Sequence, residues 1–143
     1  MPITTEWYES NRILLTRYTG AVSLADILRF MEDFKQVLDD SSTIIHTITD
    51  FRGADEMPRG SLEQVKGVQE ILQHKQLGWS TSVAPPPMVT FIYKTLMKVF
   101  GLRLAVFDSV EEAVIFLHKL DEVEARRTGQ HKSIPPTDEA QTS

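Results

Sequence analysis

Residues 101–120, GLRLAVFDSVEEAVIFLHKL, constrain the architecture more than any other stretch of this chain. Gly101 suits the left-handed position that closes a helix, because it carries no Cβ to clash there. Leu104 to Phe107 form a short apolar strand. Ser109 then caps a new helix, and Glu112, three residues on, completes a capping box. A helix stop, a strand and a capped helix in so short a span belong to a small α/β domain.

The rest of the chain extends that pattern backwards. Residues 3–8 and 12–18 read as two strands joined by the turn-prone Glu9-Ser10-Asn11, a hairpin. Gly20 ends the second strand, and Ser23 caps a helix with Asp26 at the capping-box position. Leu24, Ile27, Leu28, Met31, Phe34 and Leu38 recur at helical spacing and predict its buried face. Residues 43–49 are β-branched apart from His46, which predicts a central strand, with a loop over 50–60. Ser61 and Gln64 open a helix to about residue 75, with Leu62, Val65, Val68 and Leu72 inward. A fourth strand over 78–84 stops at Pro85-Pro86-Pro87, since proline offers no N–H to a ladder. The same prolines are well placed to start a helix over 88–100.

The predicted order is β-β-α-β-α-β-α-β-α. After the hairpin, every strand returns through a helix, which requires parallel neighbours. The expected fold is α/β, a mixed, mostly parallel five-stranded sheet with covering helices. At 143 residues one domain is expected, over 1–123. From 124 the chain turns to EARRTGQHKSIPPTDEAQTS, too poor in apolar surface to offset its ordering entropy, so 124–143 reads as a disordered tail.

Composition removes several functions. Fifteen Lys and Arg against twenty Asp and Glu give a net charge of −5, which carries no general attraction to nucleic acid. The absence of cysteine excludes disulfides, thiolate metal sites and a cysteine nucleophile. No signal peptide is visible, and no apolar run approaches the ~20 residues that span a bilayer, so a cytoplasmic protein is expected. His46, His74, His118 and His131 lie on separate elements with no partner four residues on, so no metal and no cofactor is expected. His46 reads as a satisfied core histidine. No catalytic constellation is present, and no enzyme is expected.

Three sets of residues remain. Asp50, Arg52 and Arg59, with the amides at Ser61, form a candidate anion site at the end of the third strand. The simpler reading of Asp50 is a local ion pair or a loop-ordering hydrogen bond, and of Ser61 an N-cap. A phosphate on Ser61 would meet a helix N-terminus beside Arg59. The third set lies on the 88–100 helix. Met88, Val89, Ile92, Leu96 and Val99 form its predicted core stripe, extended by Tyr93 and Phe100. Phe91 and Met97 fall outside it, near Lys94 and Lys98, which makes that face a candidate contact surface: a neighbouring helix, a homodimer seam, or a membrane-surface or acyl-ligand contact.

Leu14-Leu15 ahead of Gly20, Ile48-Thr49-Asp50-Phe51-Arg52, Leu77-Gly78-Trp79 and Phe107-Asp108-Ser109-Val110-Glu111-Glu112-Ala113 together resemble the SpoIIAA-like family of the STAS superfamily, over roughly residues 3 to 120. The resemblance implies a compact sheet covered by helices, related to bacterial regulatory domains and to the CRAL-TRIO lipid-transfer fold. In the family's anti-sigma-factor antagonists, the loop after the third strand carries an Asp-Ser-Ser-Gly motif with a phosphorylated serine. The matching stretch here, DFRGADEMPRGS, has no such motif and offers Ser61 alone. The implied function is a non-catalytic regulatory or interaction module, acting through protein contacts and self-associating as a dimer. The alternative is a binding protein for an apolar or acyl ligand held between the sheet and the 88–100 helix.

Overall fold

The computed structural model describes residues 2–58 and 62–133. Five strands and four helices alternate as the sequence predicts: β1 (Ile3–Glu9), β2 (Ile13–Ala21), α1 (Leu24–Asp39), β3 (Ile45–Glu56), α2 (Leu62–Leu72), β4 (Leu77–Val83), α3 (Pro87–Phe100), β5 (Leu104–Phe107) and α4 (Val110–Ser133). They divide into two units, residues 1–113 and 114–143, with the boundary inside α4. Among the described side chains of the second unit, Val114 and Leu117 are buried.

The sheet order is β1-β2-β3-β4-β5. β1 runs antiparallel to β2, and every later pair is parallel. Because the strands follow in sequence, each crossover steps one strand in the same direction. Right-handed crossovers then place α1, α2 and α3 on one face of the sheet. Side chains of all three helices do converge there, with Phe34, Ile71 and Tyr93 around a common cavity over β2, β3 and β4. The principal core on this face joins Leu14, Phe34, Leu38, Ile45, Ile71 and Leu77. Each such burial contributes on the order of 1.5–3 kcal/mol relative to exposure. A smaller cluster joins Tyr18, Val22 and Phe51. Ile13, Leu15, Ile48, Thr81 and Val83 are buried as well, on the alternate strand positions.

The local signals mostly hold. Ser23 Oγ accepts from the Asp26 N–H, and Asp26 accepts from the Ser23 N–H, a full capping box. Gly101 closes α3 at φ 63°, and its N–H bonds to the Met97 carbonyl. At Ser109 the box is displaced by one residue. The Glu112 N–H donates to Ser109 Oγ, but the Glu112 carboxylate takes the Asp108 N–H.

Several expectations are corrected. The predicted loop over 50–60 is strand as far as Glu56, because β3 keeps pairing with β2 from Arg17↔Asp50 to Ala21↔Glu56. Long-range pairing here overrides the weak strand propensity of Gly53-Ala54-Asp55-Glu56. For the same reason β2 runs past Gly20. Leu24 and Leu28, expected inside, are 41% and 45% exposed; of the α1 stripe, only Phe34 and Leu38 are fully buried. Val99 and Phe100 are also exposed, because the last turn of α3 overhangs the core that Leu96 reaches. Finally, α4 continues past residue 123 to Ser133, while residues 134–143 lie outside the described ones.

Candidate functional site

Asp50 lies within β3 rather than at its end, on the strand face shared with Arg17. Its carboxylate is taken up locally. Arg52 donates to Asp50 from its backbone N–H at 3.0 Å, from Nε at 2.9 Å and from Nη2 at 2.8 Å. Arg17 Nε stands 3.9 Å away, and Arg17 also pairs with Glu6 at 2.6 Å. Asp50 is 5% exposed while the Arg52 side chain is about half exposed, so the carboxylate is covered by its own partner rather than by depth. The Arg52 side-chain bonds, opposed by burial and aided by the Arg52 N–H, hold the Asp50 pKa below the usual carboxylate range. This is the local ion pair. A guanidinium committed in this way is a poor anion ligand. Arg59 and Ser61, the other two members of the candidate anion site, lie outside the described residues.

On α3, Phe91 is 67% exposed and Met97 42%, and Lys94 and Lys98 are exposed between them. The structure therefore places this whole set at the surface of its unit. Val99 at 66% widens the apolar area.

Sequence reasoning missed a third arrangement. Thr16 and Tyr18 on β2, Thr47 and Thr49 on β3, and Ser80 on β4 point from alternate positions of three adjacent strands into a cavity of about 100 Å³. Tyr93 of α3 closes it, and Phe30, Phe34 and Phe51 supply aromatic walls. Burial pushes the Tyr18 phenol pKa well up, with a smaller contribution from Tyr93. The Tyr93 phenol is raised likewise by burial, and the approach of Ser82 only partly offsets this. Ser82 Oγ is fully buried and makes no hydrogen bond of full geometry, so its contact with Tyr93 is a weak one. The sequence signal was available in Thr16-x-Tyr18, Thr47-x-Thr49 and Ser80-x-Ser82, hydroxyls at the strand period of two.

His46 is a satisfied core residue, 9% exposed, whose Nδ1 accepts from the Trp79 N–H at 2.9 Å. Among the described residues no group of His, Asp and Glu is clustered to hold a metal. None of their helices is long and apolar enough to cross a membrane.

The architecture has solved relatives. The anti-sigma factor antagonist SpoIIAA, in its unphosphorylated form, matches with a TM-score of 0.55 over 82% of this chain and 97% of that one, at 17% identity. This is a SpoIIAA-like fold. An anti-sigma factor antagonist from Mycobacterium paratuberculosis matches the same SpoIIAA-like core with a TM-score of 0.50, over 81% of this chain and 94% of that one, at 12% identity. At such identities the likeness is one of fold. No family profile and no curated protein sequence matches the chain.

Proposed function

We propose that this SpoIIAA-like chain is a non-catalytic regulatory module of the cytoplasm that works through protein contacts and self-associates. The observation that carries the reading is the outer face of α3, where Phe91 and Met97 stand exposed beside Lys94 and Lys98. Exposed aromatic and methionine side chains next to cations make an anchor-and-rim surface suited to a protein partner. Both solved relatives are described as anti-sigma factor antagonists, which supports a protein partner over a small substrate. With the Asp-Ser-Ser-Gly motif absent, Ser61 is the one serine in the stretch that matches the family's phosphorylated loop.

The acyl-ligand alternative is the weaker reading on size. The cavity between the sheet and α3, lined by Tyr93, holds about 100 Å³, against the roughly 300 Å³ at which small-molecule pockets begin.

Affinity purification from the native host with the wild-type chain and with Phe91→Asp/Met97→Asp tests the reading. A protein enriched on the wild type and depleted on a variant that circular dichroism shows to be folded is the expected result. Identical captured sets from the two baits would remove α3 as the contact surface.

A further inference from the structure

The hydrogen-bonding pattern of β1 gives the self-association a seam that the sequence did not. The Thr19 N–H bonds to the Pro2 carbonyl, so Pro2↔Thr19 is a hydrogen-bonded pair. In an antiparallel ladder such pairs alternate. Thr4↔Arg17 and Glu6↔Leu15 are then the next two, and the N–H and C=O groups of Ile3, Thr5 and Trp7 point away from β2. Among the described residues no other strand pairs with β1, which is the edge of the sheet. Thr4 through Tyr8 are exposed, with Trp7 at 39% and Tyr8 at 48%. Natural edges are guarded by charged side chains, Pro or a bulge. Here Pro2 and the irregularity between Trp7 and Glu9 guard the two ends, and Glu6, the one charged residue between them, is held by Arg17 of the neighbouring strand.

We infer that two copies of this chain join through β1, pairing antiparallel about a two-fold axis at Thr5 to make one continuous ten-stranded sheet. The register follows from the side chains. With Thr5 opposite Thr5 of the second copy, Ile3 meets Trp7 twice as hydrogen-bonded pairs. Thr4 meets Glu6 twice at the closer, non-hydrogen-bonded positions. Aromatic against β-branched is a favoured cross-strand pair, and no acid faces an acid. A slip of one register step one way sets Glu6 against Glu6. The opposite slip takes Trp7 out of its pair with Ile3. Because the axis is perpendicular to the sheet, Ile3 and Trp7 of both copies share one face. There each copy contributes the groove of about 350 Å³ between β1 and α1, into which Ile3 and Trp7 point. The opposite edge, β5, has four residues and is a shorter template.

This seam specifies the self-association in the function proposed above and is independent of the α3 face, so the two are tested apart. The experiment is sedimentation of the full-length chain across a dilution series, with Thr4→Glu, Thr4→Lys and Thr5→Pro variants. In the monomer Thr4 is exposed and opposite Arg17, so Thr4→Glu leaves the fold intact. In the dimer it sets two acid pairs against Glu6 and raises the dissociation constant roughly tenfold, while Thr4→Lys lowers it by a similar factor. Thr5→Pro removes the N–H at the axis and gives a monomer, with circular dichroism confirming that an edge proline is tolerated. A wild-type chain that stays monomeric up to its solubility limit overturns the seam. So does a dimer indifferent to both Thr4 charges, or one lost in folded Phe91→Asp/Met97→Asp. Failure of the α3 reading alone leaves the captured partners of the two baits identical and leaves the sedimentation of the wild type and the Thr4 and Thr5 variants as stated.

Discussion

Arg52 closes over Asp50, with a backbone N–H and a guanidinium Nε both donating to Oδ1 and an Nη2 donating to Oδ2. Three bonds from a residue only two positions away turn a candidate anion site into a clasp on the face of β3. The clasp also explains why a charged carboxylate can sit on a strand with almost no exposure.

The clasp makes stability acid-sensitive with a defined sign. The folded-state pKa of Asp50 is lowered, so its contribution is present above the unfolded value near ~4 and is lost as pH falls through the folded value. Asp50→Asn is expected to cost about 1–2 kcal/mol at neutral pH, discounted because Arg52 is half exposed. In urea unfolding the gap between wild type and variant narrows below about pH 4. A gap that stays constant into acid contradicts the assignment.

The alkaline side has the opposite origin. Tyr18 and Tyr93 have phenol pKa values raised by burial, so the native state keeps both neutral where an unfolded chain begins to ionise, near ~10. Their contribution is complete below that pH and is lost as pH rises through the folded values. Tyrosinate absorbance is expected to show Tyr18 and Tyr93 ionising only with unfolding. Tyr18→Phe should flatten the alkaline loss.

Ser82 offers a test of the hydroxyl cavity. Its Oγ is buried without a full hydrogen bond, so Ser82→Ala removes an unsatisfied group and leaves stability unchanged or raised by up to about 1 kcal/mol. A loss beyond about 1.5 kcal/mol in denaturant titration means that Tyr93 holds the hydroxyl with a full bond.

Gly78 is fixed by a side chain rather than by its own dihedral angles. A Cβ there would fall inside the His46 imidazole, 2.5 Å from Cε1, and 2.9 Å from Ile44 Cγ2. The ring cannot swing aside without releasing the Trp79 N–H. Gly78→Ala is expected to cost about 1–3 kcal/mol, as overpacking does. In a double-mutant cycle, His46→Ala should recover part of that cost. Additive losses would show that the two positions do not meet.

Residues 122–126 of α4 are exposed, and they begin where the apolar character of the chain runs out. Truncation after Val123 is expected to shift the melting temperature by no more than about 2 °C. A larger drop in a thermal scan makes the remainder of the helix part of the folded domain.

What the sequence determined by itself is the order and type of the elements. Caps, turn residues and apolar periods are local, so Ser23 with Asp26, the prolines before α3, and Gly101 at its end were each readable within a few residues. From element order and crossover handedness the sheet and its covered face follow. Only the tertiary structure decided where strands end and which apolar residues are inside. β3 runs on to Glu56 because β2 is there to pair with it, and Val99 stays in solvent because α3 outruns its core. The sequence could name Asp50 and Arg52 but not choose between an anion site and a clasp, since that depends on where one side chain folds back. The outward-facing groups of Ile3, Thr5 and Trp7 were equally out of reach. An edge exists only once the other strands have taken their places, because it is defined by the hydrogen bonds that no neighbour makes.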